Sequence, residues 1–240
     1  MNRENILAKI KFNITKFGRH ITFVSGGQEP RYAYTIGLFE NHDLELIFAG
    51  GIFYLEKDVR DIINSIAAKI HERGDLTSSF SLDAHGGFTL KKVHPSWSNA
   101  MMLGVYDYYN IKQFSAYQIV PESRNYTLDI PNMAQEWSSQ EQPIWKWLKE
   151  DWTFNISKNG EVVTNLDALK GNPITEIMRW EEEMWEMFSG AGPEINQEDM
   201  RVVPIGVLLG IDKSLLPALE LKVGKGMWRE GASDIWNDWG

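Results

Sequence analysis

Apolar positions along the chain recur with two different periods, and the period decides the element. Within residues 4–17, Ile6, Leu7, Ile10, Ile14 and Phe17 share one helical face and Gly18 follows as a stop, which predicts a first helix. Residues 56–73 give the clearest helix. There Val59, Ile62, Ile63, Ile66, Ala67 and Ile70 recur every three or four positions, acids open the segment and Gly74 closes it. A helix with one apolar face should lie across a sheet. Residues 20–24 form a short β-rich run and 25–30 a turn-forming stretch, while 32–39 and 44–49 read as two strands around 40–43, a hairpin pattern. Further on, 87–93 and 114–120 read as strands and 98–109 as a helix.

Beyond Pro121 the chain is polar and loop-like as far as Pro143, and 141–152 mixes Trp145, Trp147, Leu148 and Trp152 with charges. Residues 161–165 predict a strand leading into 166–171. Residues 174–188 admit two readings: Ile174, Ile177, Met178, Trp185 and Phe188 suit a helix, and two apolar runs about Glu181, Glu182 and Glu183 suit a hairpin with an acidic tip. Residues 202–209 are apolar, 215–221 are broken by Pro217, and 227–239 close the chain with three tryptophans. No fixed period appears, which argues against a repeat architecture. The expected class is α+β: two joined domains, 1–149 and 150–240, each a mostly antiparallel or mixed sheet with packed helices. The boundary is placed near Glu150, where the composition shifts.

Composition sharpens that division. With 43% hydrophobic residues, including 11 Phe, 10 Trp and 8 Tyr, the 240-residue chain has ample core material, which excludes general disorder. Its net charge of −9 is uneven: residues 1–148 carry 15 Lys and Arg against 16 Asp and Glu, and residues 149–240 carry 9 against 17. An acidic field repels nucleic acid and anionic membrane and steers a basic partner, although it also serves solubility. Residues 1–10 lack the apolar core of a secretory signal, and no run approaches the roughly 20 apolar residues of a membrane span, so a cytoplasmic location is expected. The absence of cysteine excludes disulfides, thiolate metal sites and a cysteine nucleophile.

Two family resemblances rest on particular residues. Arg31-Tyr-Ala-Tyr-Thr-Ile-Gly-Leu-Phe39, His42-Asp-Leu-Glu-Leu-Ile-Phe-Ala-Gly50, Gln118-Ile-Val-Pro-Glu122 and Gln142-Pro143 together resemble the bacterial family filed as domain of unknown function 4262, over residues 5 to 148. That family commonly has His-Pro-Glu-Leu, whereas here the run is His42-Asp43-Leu44-Glu45-Leu46, without the proline and with the histidine displaced by one. The resemblance implies a fold unit and no particular chemistry. In the C-terminal part, Gly160-Glu-Val-Val-Thr-Asn165, Gly171-Asn-Pro-Ile174, Trp185 through Gly190, Arg201-Val-Val-Pro-Ile205, Ile211-Asp-Lys-Ser-Leu-Leu216 and Met227-Trp-Arg229 through Trp236 resemble immunity-protein family thirty-three of polymorphic toxin systems, also filed as domain of unknown function 2185. This resemblance favours the hairpin over 174–188 and implies that the protein binds and neutralises a toxin.

Candidate chemistry is sparse. None of His20, His42, His71, His85 and His94 has the tight spacing of a metal site, and no nucleophile elbow, phosphate loop or dinucleotide fingerprint is present, so no catalytic residue, metal or cofactor is assigned. Tyr34, Thr35, Gly37, His42 and Glu45 form the best small-ligand candidate: Thr35 offers a hydroxyl and Gly37 a close approach, although the same residues suit plain sheet packing with a bulge. Asp43 and Glu45 would share one side of a strand and His42 the other, which disfavours a histidine–carboxylate dyad. Trp180, Glu181, Glu182, Glu183, Trp185 and Glu186 form the partner-binding candidate, because aromatics supply anchors and acids steer a basic surface. A solvated tip over core tryptophans is the bland alternative. The expected function is non-catalytic binding of a basic protein toxin; the alternative is a flavin- or nucleotide-binding protein or enzyme built on the N-terminal sheet. Oligomeric state is left open.

Overall fold

The computed structural model describes residues 3–73 and 79–239, and these fall into two compact units. The first lies within residues 1–24, 31–126 and 130–137, and the second within 25–30, 127–129 and 138–240. The expected stop at Gly74 is outside the described residues.

The first unit runs α1 (Arg3–Phe17), β1 (His20–Val24), β2 (Tyr32–Ile36), α2 (Phe39–His42), β3 (Leu44–Ala49), α3 (Glu56–Arg73), β4 (Ser79–Leu82), β5 (Gly86–Lys92), α4 (Pro95–Met101), α5 (Leu103–Tyr109) and β6 (Ser115–Pro121). Its sheet has the order β1-β2-β3-β6-β5-β4, antiparallel except for the parallel pair β3–β6. The hairpin expected over 32–49 is present, with α2 inserted at its turn. The apolar face of α3 packs Val59, Ile62, Ile63, Ile66, Ala67 and Ile70 in one core with Ala33, Leu46 and Phe48 of the sheet. Burying each such isoleucine is worth about 1.5–3 kcal/mol, which is why the 3.6-residue period was so readable.

Three segments differ from the sequence pattern. In α1 only Ile10 is buried, while Phe12 and Phe17 are largely exposed under the ammonium of Lys16, 5.6 and 5.1 Å from their ring centres. The helix expected over 98–109 is two helices, because Met102 has φ −108° and ψ 40°, outside the helical range. The first begins earlier, at Pro95, where the ring nitrogen of His94 accepts the Ser96 amide at 3.2 Å. Strand β4, only four residues long, carried too few positions to show its alternation.

The second unit contains β7 (Glu161–Asn165), α6 (Leu166–Leu169), β8 (Glu176–Arg179), β9 (Met184–Phe188), β10 (Met200–Pro204), α7 (Ile205–Ile211), β11 (Lys225–Trp228) and β12 (Asn237–Trp239), with 3-10 helices at Pro143–Leu148 and Lys213–Glu220. Its sheet has the order β10-β7-β9-β8-β11-β12, with β7–β9 the parallel pair. The architecture is thus α+β, with a mixed six-stranded sheet in each unit. Residues 174–188 adopt the hairpin form, with Arg179 opposite Trp185 and the three glutamates at the tip.

The composition change near Glu150 and the compact units mark different points. Residues 138–149 join the second unit because Trp147 needs apolar cover. It packs on Trp152 at 4.6 Å between ring centres, and a Cβ on Gly206 of α7 would stand 2.6 Å from its Nε1. Near the chain's end, buried Arg229 donates to Ile174 O at 2.8 Å, Ala232 O at 3.0 Å and Asp212 Oδ2 at 3.0 Å, and lies 4.2 Å from the Trp236 ring. A charge-assisted network of this kind supplies the partners that a buried guanidinium requires. Among the described residues no helix is long and apolar enough to cross a membrane.

Candidate functional site

In the first unit, Glu45 is fully buried on β3 and is the centre of a polar cluster. Its Oε1 accepts the amides of Gly37 at 2.9 Å and of Leu38 and Phe39 at 3.1 Å, and Tyr109 Oη at 3.4 Å; its Oε2 accepts Thr35 Oγ1 at 2.5 Å. Burial pushes the Glu45 carboxyl up to about 7, opposed by the Thr35 hydroxyl and the three amides. Tyr109 is also pushed up, first by its own burial and then by the charge of Glu45. Ladder pairing of β2 and β3 covers Tyr32–Tyr34, after which the Thr35 hydroxyl takes over by accepting the Leu46 amide at 2.8 Å.

Of the five residues proposed as a small-ligand site, Gly37 and His42 border one pocket, while Tyr34, Thr35 and Glu45 are buried. Thr35 and Glu45 spend their polar atoms on each other and on nearby amides. Gly37, at φ +129°, is approached by the chain itself: a Cβ there would stand 2.9 Å from the Arg19 Cα. Tyr34 is buried, and its Oη accepts the Gly104 amide at 3.2 Å. His42, like Tyr34, bonds outside the Glu45 cluster. It ends α2, ahead of Asp43 in the left-handed conformation at φ 54°, and its Nε2 lies 3.4 Å from Nδ1 of His71 on α3. The two rings border a pocket of about 300 Å³ with Arg19, Asn41 and Glu72. Among the described residues no group of three or more histidine or carboxylate ligands is gathered for a metal ion.

In the second unit, alternation separates the two faces of the sheet. Val162, Thr164, Ile177, Trp185, Met187, Val203 and Met227 are buried on one face. The other face shows Met184, Val202, Trp228 and Trp239 to solvent, with Met178, Glu176 and Glu186 half-buried among them. Of the partner-binding candidates, Trp180 is 50% exposed beside the exposed Glu181, Glu182 and Glu183, and Glu186 lies on the same open face. Trp185 is not with them: it is 1% exposed and packs on the covered face, with the Arg179 guanidinium 4.7 Å from its ring centre. The side chain of Glu183 accepts a hydrogen bond from Ser157 Oγ, which ties the tip to the loop before β7.

Residues 13–127 match the family model of a domain of unknown function, DUF4262. No curated protein and no solved structure matches the chain. The DUF4262 stretch contains the Glu45 cluster, His42, His71 and all six strands of the first sheet, and stops short of the second.

Sequence reading missed several members of these sites. Tyr109 and His71 lie 64 and 29 positions from the residues they meet, so no local spacing could reveal them. Met178 and Trp239 were not among the partner-binding candidates. Their placement on the open face follows from strand order, with β12 joined to β8 through β11.

Proposed function

We propose that the protein is a non-catalytic binding protein of the immunity type, whose acidic second unit docks a basic protein toxin on the open face of its sheet and so neutralises it. One observation carries this reading: a sheet face with exposed apolar side chains runs into an acidic tip. Trp180, Met184 and Val202 offer area that a partner can desolvate. Glu181, Glu182 and Glu183 are like charges in sequence, whose mutual repulsion a cationic partner relieves, and their field speeds encounter. The resemblance of segments within residues 160–236 to immunity-protein family thirty-three supports the same reading and names the partner class.

In this reading the protein acts by occupancy in the cytoplasm, without a reaction or a cofactor. The alternative, a flavin or nucleotide held by the first sheet, has less support because Thr35, Gly37 and Glu45 already satisfy one another. Co-purification with the product of the adjacent gene tests the proposal. The expected complex weakens with salt and is lost when Glu181, Glu182, Glu183 and Glu186 are all changed to Lys; a salt-insensitive complex, or none, counts against it.

A further inference from the structure

We infer that the hollow between Trp180 and Trp239 on the open face receives a single arginine side chain of the partner, with Glu186 as its counter-ion. This rests on the docking reading above and specifies what the face recognises. The sheet register brings three of the lining residues, Trp239, Met178 and Glu186, into one row that crosses the face as Trp239, Gly226, Met178, Glu186, Val163 and Val202. Gly226 contributes no side chain, and its neighbours close over the gap. A Cβ there would stand 2.9 Å from the Met178 sulfur and 3.3 Å from the Trp239 ring. Beside this row lies a cavity of about 520 Å³, ample for a guanidinium on its three-carbon stem.

The chemistry of the lining selects the occupant. Met178, Phe188 and Met200 make the cavity apolar, two tryptophans border it, and two carboxylates enter it, with no basic side chain among the described residues that line it. Glu176 is engaged, since it accepts the Gly192 amide. Glu186 is half-buried, and its carboxylate has no hydrogen bond or ion pair among the described residues. A carboxylate partly withdrawn from water without a partner is unfavourable, and an incoming cation relieves it. Glu176 and Glu186 are diagonal neighbours across β8 and β9, at a backbone separation of roughly 7–8 Å, so one planar guanidinium can address both. Arginine suits the site better than lysine because it is flat, weakly hydrated and stacks on indoles. The same unit stacks its own arginines in this way, Arg179 on Trp185 and Arg229 on Trp236.

The test uses the full chain labelled with 15N, the indole N–H resonances of its ten tryptophans, and N-acetyl-arginine amide as the probe. Trp180→Phe and Trp239→Phe assign the two signals. Expected is a saturable shift of both, with a dissociation constant of roughly millimolar order, weakened at least about tenfold for the neutral citrulline analogue and in Glu186→Gln. No saturable shift at either indole, an equal response to citrulline, or an unchanged response in Glu186→Gln overturns the inference. The partner complex separates the two levels. If Glu186→Gln binds the adjacent gene product as well as the unaltered protein does, while changing Glu181, Glu182 and Glu183 to Lys abolishes the complex, the arginine pocket is wrong and the docking face stands. If neither change matters, both fail.

Discussion

Thr35 Oγ1 donates to Glu45 Oε2 at 2.5 Å while accepting the Leu46 amide at 2.8 Å, so one hydroxyl closes both the end of the β2–β3 ladder and the buried acid cluster. Thr35→Val keeps the shape and removes both bonds, leaving a buried amide without an acceptor. The expected loss is about 1–3 kcal/mol, read as a lower urea midpoint at unchanged slope. Thr35→Ser should recover most of it. A valine variant of native stability would contradict the role assigned to this hydroxyl.

Glu45 gives the fold a pH dependence of definite sign. Its carboxyl is lifted from its ordinary 4.5 to about 7, so the folded protein holds the proton more tightly than the unfolded chain does. The associated stability is full below about pH 4.5 and is lost as pH rises through about 7, a change on the order of 3 kcal/mol. Urea unfolding at a series of pH values should therefore show Glu45→Gln with a flatter profile across this window than the unaltered protein. A profile that stays as steep in the variant would place the titration elsewhere.

The two tryptophans of the β8–β9 hairpin should respond oppositely to truncation. Trp185→Ala empties a core position and should cost about 3–5 kcal/mol in thermal or urea unfolding. Trp180→Ala should change stability by no more than about 0.5 kcal/mol and act on binding instead. Equal stability losses would mean that Trp180 is a packing residue.

Local pattern revealed what local periodicity encodes and no more. The α3 helix was legible because all six of its apolar positions meet a single core. For 174–188 the same apolar residues fit both periods, and the choice came from cross-strand pairs such as Glu176 with Phe188, which no window of sequence displays. Glu45 read as a strand residue and a ligand candidate, yet its carboxylate is buried and taken up by three consecutive amides and a threonine hydroxyl, a convergence no local window displays. Gly226 and Trp239 acquired meaning only once the sheet order placed them in one row with Met178 and Glu186. The contrast in charge pointed to the acidic half, while the compact unit that holds Trp147 begins ahead of the composition change.

Hydrogen–deuterium exchange of the protein alone and in the presence of the product of the adjacent gene tests the proposed docking most directly. Protection should appear at the β8–β9 tip and along β10 and β12, where the open face lies. Protection confined to the DUF4262 stretch, or no change anywhere, would contradict it.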